Sequence, residues 1–524
     1  MSQPNFSQPS PIGRIKHMQE IPYDVWRCIT DFLSVEEVKR LYAVNRSLLN
    51  ISLDERYRIA FIGSLFDKVT EKNLNRLIEP KISSRVREFT FNPGHLCKLL
   101  YETRANVHLK ETSENTVTEL LDLFKSLDLS PRKVQIPSAQ PITSISHMPA
   151  HLAYRNVLRI LKQMICLTSL RIVLSRGEYR YFEQTPTSFF TIGWATFGSN
   201  LRSLDLRIPL EAMEEVLSLS NRVTLTNLQN LSLQIIRASL VTDASVILME
   251  IILPFIIAHR YTLHSLILHI SEQINLSPLL LRLEPIISLQ TLKLKQPFVG
   301  HDQTDLTGLK HFFQVHCSHL RHFHLDMVST FVHYPTPYPF FAQSCFGIAL
   351  PKLRHLSIYF HKFPLQYSEG MIPYILQFKT TLVSLEISEH PWSLERLKIL
   401  LKDFSANSPL RELKCSMSVL DPPVVEALAT SLPSLDILDI DFERIGPEGY
   451  VDHPTNTTPL FAHEMCRLNI TTWRLRDLRI SSFQLAHVPR VKCKHALVGA
   501  LPNVQKFCGL TREEYLLDRI IRAF

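Results

Sequence analysis

A pattern of apolar positions, L-x-x-L-x-L with aliphatic or aromatic variants, recurs eleven times along the chain. The copies start 25 to 40 residues apart, a period typical of proteins built by stacking one supersecondary unit. Side chains of a strand alternate between its two faces. Each copy therefore predicts a short strand with positions 4 and 6 on one face and positions 3, 5 and 7 on the other. The copies are LTSLRI (167), LRSLDL (201), LQNLSL (228), LHSLIL (263), LQTLKL (289), LRHFHL (320), LRHLSI (353), LVSLEI (382), LRELKC (410), LDILDI (435) and LRDLRI (475), with VREFTF (86) as an earlier member and VQKFCG (504) as a degraded last one.

Helical patterns such as Ser393-LERLKILLKDF and Asp421-PPVVEALATSL lie between these strands. Each unit is thus a helix followed by a short strand, and the leucines at positions 1, 4 and 6 of successive units stack into one continuous core. The pattern predicts an α/β fold, an irregular leucine-rich-repeat solenoid, or horseshoe, over residues 63–508. Insertions are expected at 327–350 and 442–470, and a C-terminal helix or cap over 509–524.

The first 62 residues have a different character. Residues 1–18 are polar and proline-rich and are predicted to be a disordered lead, and residues 19–62 are predicted to form a small all-α head. Ser34 and Glu37 have the spacing of a capping box, in which each side chain bonds the other residue's backbone amide. A third helix is expected from about Val44. Apolar residues at helical spacing are Val25, Trp26, Ile29, Phe32, Leu33, Val38, Leu41, Leu48, Leu49 and Ile51.

Composition narrows the function classes. The chain of 524 residues carries a net charge of +8, without a run of four basic residues, which disfavours a nucleic-acid binder. It has 14 glycines, few for its length, so phosphate-binding loops are not expected. The most apolar run, Val246 to Ala258, is too short to span a bilayer and predicts a buried helix. Nine scattered cysteines without a C-x-x-C, and the absence of a signal-peptide pattern, favour the cytoplasm or the nucleus.

Sequence motifs for chemistry are weak. The segment GWATFGSN from Gly193 lacks the lysine of a phosphate loop, and Arg467 stands where a zinc-protease helix starting at His463 needs its second histidine. No catalytic residue and no cofactor are predicted. One histidine-rich stretch leaves two interpretations open, a metal site or, as we favour, a solvated histidine patch. Its residues are His311, His316, Cys317, His319, His322 and His324.

Residues 21–51, IPYDVWRCITDFLSVEEVKRLYAVNRSLLNI, resemble an F-box: Ile21-Pro22 is similar to its opening and Phe32-Leu33 to the hydrophobic pair that ends its first helix. The whole architecture resembles the F-box/leucine-rich-repeat proteins, especially divergent fungal ones. This resemblance implies a substrate-recognition subunit of a Skp–cullin–F-box ubiquitin ligase, in which partner subunits transfer ubiquitin. A scaffold acting outside ubiquitination is the alternative, and an enzyme has no supporting motif. The head would bind the Skp-family adaptor, and through it a cullin, by Pro22, Val25, Ile29, Leu33, Val35 and Leu41. The alternative for each is a place in the head's own core, and we expect the six to divide between the two roles.

The outward strand positions predict where a protein target binds. They change from cationic near residue 290, through histidine and tyrosine, to mostly acidic beyond residue 430. Histidines near their ordinary pKa of about 6.5 would make binding mildly pH-dependent. A solvated strand face is the alternative for each single residue, and the proline-aromatic loop after Tyr334 is either a binding lip or a packed surface loop. The candidate target-binding residues are Lys293, Lys295, His322, His324, His355, Tyr359 and Glu386.

Overall fold

The strands of the protein form one sheet in chain order. The computed structural model describes residues 21–64, 67–109, 150–183, 188–218, 225–237, 243–271, 274–298, 305–329, 340–361, 370–404, 408–445, 454–468, 470–482 and 495–515. The strands are Ile59–Ile62 (β1), Glu88–Phe91 (β2), Ser169–Val173 (β3), Ser203–Pro209 (β4), Asn230–Ile236 (β5), Ser265–Ile270 (β6), Thr291–Phe298 (β7), His322–Ser329 (β8), His355–His361 (β9), Ser384–Trp392 (β10), Glu412–Leu420 (β11), Ile437–Ile445 (β12), Asp477–Ser482 (β13), Lys506–Phe507 (β14) and Leu510–Thr511 (β15). Together they make a 15-stranded sheet, parallel from β1 to β14 and antiparallel between β14 and β15.

Helices connect most of these strands. The described ones after the head are Lys68–Leu77, Pro80–Ser83, Gly94–Leu109, Ala150–Gln163, Arg176–Phe182, Ser188–Phe197, Leu210–Ser218, Ala244–Ile247, Leu253–Ala258, Ser277–Arg282, Thr307–His316, Met371–Leu376, Leu394–Lys402, Pro422–Ser431 and Pro454–Met465. The side chains of Ser393 and Asp421 accept hydrogen bonds from the amides three residues on, which explains where two predicted helices begin. The long parallel sheet with intervening helices confirms the α/β class and is compatible with a solenoid.

The predicted repeat positions build the core. Strands β3 to β13 coincide with the eleven copies of the pattern, and β2 and β14 with its two weaker members. The apolar residues at positions 1, 4 and 6 of the copies are buried, except that Ile480 is only partly buried. Burying one such leucine contributes about 2 kcal/mol, so the stacked rows stabilise the whole array. The pattern did not predict β1 or β15.

Three short helices form the head: Tyr23–Thr30 (α1), Val35–Arg40 (α2) and Arg46–Tyr57 (α3). The predicted capping box is present, with the Glu37 amide donating to Ser34 Oγ at 3.3 Å and the Ser34 amide donating to Glu37 at 2.8 Å. The third helix begins at Arg46 rather than Val44, because Asn45 caps it. Leu49, expected on one face with Leu48 and Ile51, is exposed, because it lies about 100° around the helix from the buried Leu48, at the edge of the inward face.

Arg85 fastens the head to the first repeats. Its guanidinium donates to the backbone carbonyl and to the side chain of Asn50, both at 3.1 Å, and forms an ion pair with Asp54 on the same helix α3. Tyr23 on α1 also donates to Asp54, at 3.2 Å. Strand β1 follows α3 directly and pairs with β2, so the sheet starts inside the segment predicted as the head.

The predicted insertions are only partly irregular. In the first, Phe340 and Phe341 are buried, which supports the packed-loop interpretation for that part; Tyr334 to Pro339 lie outside the described residues. In the second, β12 continues to Ile445 and a helix runs over Pro454–Met465, while residues 446–453 lie outside the described residues. The predicted disordered lead also lies outside the described residues.

The apolar run from Val246 to Ala258 is largely helical, as predicted, with a π-helical turn over Leu248–Ile252. Leu248, Ile252 and Phe255 are buried in the core. In the part of the chain that the structure describes, no helix has the length and apolarity needed to cross a membrane.

Candidate binding surfaces

The candidate target-binding residues lie together on one face of the sheet, opposite the leucine core. Because the parallel strands keep a common register, equal motif positions of adjacent repeats are direct neighbours. Lys293 lies beside His324, and His322 beside His355. The structure thus places all seven predicted residues on four adjacent strands: Lys293 and Lys295 on β7, His322 and His324 on β8, His355 and Tyr359 on β9, and Glu386 on β10.

Several of these charges are already satisfied within the face. Lys295 Nζ lies 2.6 Å from Asp326 Oδ2, and Asp326 is only 6% exposed. Glu386 is paired with Lys414 at 2.6 Å and accepts a hydrogen bond from Ser357 Oγ at 3.2 Å. Such internal pairs weaken the predicted change from cationic to acidic. Among the described residues no ion pair of Lys293 is found, so the free positive charge of β7 is on Lys293.

Aromatic rings fill the middle of the face. The rings of His322 and His355 stack, with centroids 4.3 Å apart and planes 17° apart. The rings of His324 and Tyr359 lie 4.9 Å apart, and the Tyr359 hydroxyl is hydrogen-bonded to Glu386. These contacts fix the side chains, so a ligand meets a largely preorganised surface.

The histidines of the face do not keep their ordinary pKa. Partial burial lowers the pKa of His322, His324 and His355, and neighbouring charges add to the effect: His355 for His322, and Lys293 for His324. Their protonation therefore shifts to more acidic pH than the ordinary value. The expected mild pH dependence near pH 6.5 is corrected accordingly.

His316, part of the supposed histidine patch, is a buried structural residue. It is 1% exposed, its Nδ1 lies 2.9 Å from the carbonyl oxygen of Phe312, and its Nε2 accepts from the amide of Ile286 at 3.0 Å. The solvated-patch interpretation is wrong for this histidine because it links two consecutive repeats. Within the described ranges, no three histidine, cysteine or acidic side chains converge as a metal site would require, and the eight cysteines there are free thiols.

A depression of about 820 Å³ lies on the same face over strands β1 to β7. Its lining includes Arg171, Asp205, Arg207, His269 and Lys293. Of these, only Lys293 was among the candidate residues. The others occupy positions 5 and 7 of earlier copies of the pattern, so the same register applied from the first copy onward identifies them.

The head presents an exposed apolar surface. Only Val38, Leu48 and Ile51 form its buried core, with Trp26 and Leu41 packed against them. The exposed large apolar side chains of the head are Ile21, Tyr23, Val25, Ile29, Phe32, Leu33, Val35, Tyr42, Val44 and Leu49. Five of the six predicted adaptor-binding residues, Pro22, Val25, Ile29, Leu33 and Val35, are therefore exposed, and the sixth is half-buried.

Comparisons with known proteins do not add a family assignment: no family model matches the chain, and no curated protein matches it.

Proposed function

We propose that this chain is the substrate-recognition subunit of a Skp–cullin–F-box ubiquitin ligase, with a leucine-rich-repeat solenoid that holds a protein target. The head binds a Skp-family adaptor, and through it a cullin. Ubiquitin transfer is carried out by partner subunits, and this chain raises the local concentration of the target.

The apolar surface of the head supports this proposal most directly. Phe32 is 90% exposed and Val44 is 62% exposed. The head's own core contains only three buried apolar side chains, so most of its apolar residues are left at the surface. Exposed apolar side chains of this number on so small a unit are typical of a protein-binding surface. The sequence around it resembles an F-box, whose known role is to bind the adaptor.

The position of the head relative to the sheet suits a receptor. Arg85 and Asp54 fix α3 to the first repeats, so a partner on the head and a target on the sheet face are held by one continuous structure. A fixed distance between two binding sites is what catalysis by proximity requires.

The test is co-purification of the full chain with the Skp-family adaptor and cullin. Val25 and Ile29 are 46% and 42% exposed on α1, and burying such a side chain in a complex contributes about 2 kcal/mol. The double variant Val25→Ala/Ile29→Ala should therefore weaken adaptor binding by roughly 100-fold or more. Val69→Ala/Ile399→Ala removes the same atoms from residues that are 57% and 59% exposed elsewhere and should change nothing.

Equal loss of adaptor in both double variants, or in neither, would contradict the docking surface. Recovery of the adaptor without cullin or target ubiquitination would instead favour the scaffold alternative.

A further inference from the structure

Two arginines on the sheet face are oriented by one carboxylate. Asp205 Oδ2 accepts from Arg171 Nε at 2.7 Å and lies 3.3 Å from Arg207 Nε. Arg171 and Asp205 are direct neighbours on β3 and β4, and Arg207 follows two residues later on the same face. The Asp205 side chain is 14% exposed, so the anchor is largely shielded from water.

The arginines bind Asp205 through Nε, which leaves their terminal nitrogens directed elsewhere. Within the described residues these terminal nitrogens have no other hydrogen-bond partner, and the two side chains remain 49% and 47% exposed. An arginine fork of this kind matches the two oxygens of a carboxylate or phosphate group. Fixing the fork beforehand reduces the entropy lost on binding.

The surroundings add positive charge. Both arginines line the depression over β1 to β7, and so does Lys293, which has no ion pair among the described residues. Glu88 also lines it but lies 2.9 Å from Arg58. One acidic group, Asp205, is thus shared by two arginines, and the depression keeps a cationic excess.

We propose that this depression binds an acidic segment of the protein target, with Arg171 and Arg207 each gripping a carboxylate or phosphate oxygen pair and Lys293 contacting the next acidic group. The inference rests on the proposed function in taking this face as the target-binding surface. A long nucleic acid fits less well, because the same face carries Asp439 and Asp441 at its other end.

The test uses the full chain and a fluorescent twelve-residue peptide of alternating Glu and Ser, followed by fluorescence anisotropy at low and at physiological salt. Arg171→Gln/Arg207→Gln should weaken binding by at least about 10-fold, since hydrogen bonds between charged groups are lost. Lys398→Gln/Lys402→Gln removes the same charge from exposed positions of the helix Leu394–Lys402 and should leave binding unchanged.

One further variant separates geometry from charge. Arg171→Lys/Arg207→Lys keeps the charge but loses the forks, so peptide binding should weaken several-fold while a thermal melt shows a folded protein. A phosphoserine version of the peptide should bind more tightly, and that gain should disappear in the glutamine variant.

Equal peptide binding by wild type and the glutamine variant would overturn the proposal. So would an oligonucleotide that binds more tightly than either peptide and depends on the same arginines. None of these measurements requires the adaptor, so their outcome is independent of whether the chain is a ligase subunit.

Discussion

Replacing His316 by phenylalanine removes the hydrogen bond that its side chain makes between two repeats. Phenylalanine keeps the shape of the ring, which stacks on Phe312 with centroids 4.2 Å apart. It removes the acceptor for the amide of Ile286, a residue that is 1% exposed. The bond to the Phe312 carbonyl oxygen is also lost. That oxygen belongs to the helix Thr307–His316, where a backbone amide can still satisfy it.

The expected loss of stability is about 2 kcal/mol at pH 7.5, because a buried amide without an acceptor costs about 1–3 kcal/mol. The same bond predicts a pH dependence. Burial lowers the pKa of His316, and the native state needs the neutral ring, since Nε2 accepts from a backbone amide.

The sign follows from the lowered pKa. The unfolded chain takes up a proton near pH 6.5 while the native His316 stays neutral, so the unfolding free energy falls as the pH drops below that value. The phenylalanine variant lacks this component, so its deficit relative to wild type should be smaller at pH 5.5 than at pH 7.5.

Urea unfolding followed by circular dichroism at both pH values measures the deficit. Hydrogen exchange of peptides spanning residues 283–290 reports the amide itself, which should exchange roughly 30-fold faster at pH 7.5. His259→Phe is the matched control, because His259 Nδ1 also lies 2.7 Å from a carbonyl oxygen four residues earlier, that of Phe255. It should not accelerate exchange at Ile286. A deficit of equal size at both pH values would refute the neutral, bridging role of His316.

The sequence was sufficient to locate the strands wherever the apolar pattern is strong. Leucines at positions 1, 4 and 6 can be buried together only if each copy is a strand in a common register, so β3 to β13 follow directly. Strand β1 has no such pattern: at the sheet edge only Ala60 and Ile62 face inward, and Ile59 and Phe61 are exposed. An edge strand has a neighbouring strand on one side only and buries few apolar side chains. The apolar pattern of β1 is therefore too short to be recognised in the sequence.

His316 shows where the sequence argument failed although a signal existed. Four residues before the pattern, three other repeats carry Phe197, His259 and Phe378, all buried. These three repeats indicate an inward position for a ring, although the remaining copies have other residues there. The acceptor role toward Ile286 depends on the distance between two repeats, which no single repeat encodes.

The sequence predicted which residues share the candidate surface, but not which of their charges form ion pairs with each other. Arg171 and Asp205, Lys295 and Asp326, and Glu386 and Lys414 occupy equal motif positions of adjacent repeats, so aligned repeats would indicate each ion pair. A single strand does not show which of its charges are paired, because the two partners of each pair lie on neighbouring strands. The paired charges stabilise the face. The ammonium group of Lys293 and the terminal nitrogens of Arg171 and Arg207 can still form hydrogen bonds, so these groups are left for a ligand.

Two further substitutions test the packing between repeats and the buried ion pair. Gly308→Ala places a Cβ against the Ser277 backbone, 2.6 Å from its Cα, and should cost about 2–3 kcal/mol in thermal or urea unfolding. Gly177→Ala meets nothing within 4 Å and should be neutral or stabilising by up to about 1 kcal/mol; similar losses in both would refute the steric argument. Lys295→Met should lower the unfolding free energy by roughly 2 kcal/mol, because it removes the lysine 2.6 Å from the shielded Asp326 carboxylate. The loss is smaller than for a fully buried pair, since the Lys295 side chain is 36% exposed. Adding Asp326→Asn should restore most of the loss, since the amide carries no charge to be shielded. A double variant as unstable as Lys295→Met would show that packing, rather than charge, explains the effect.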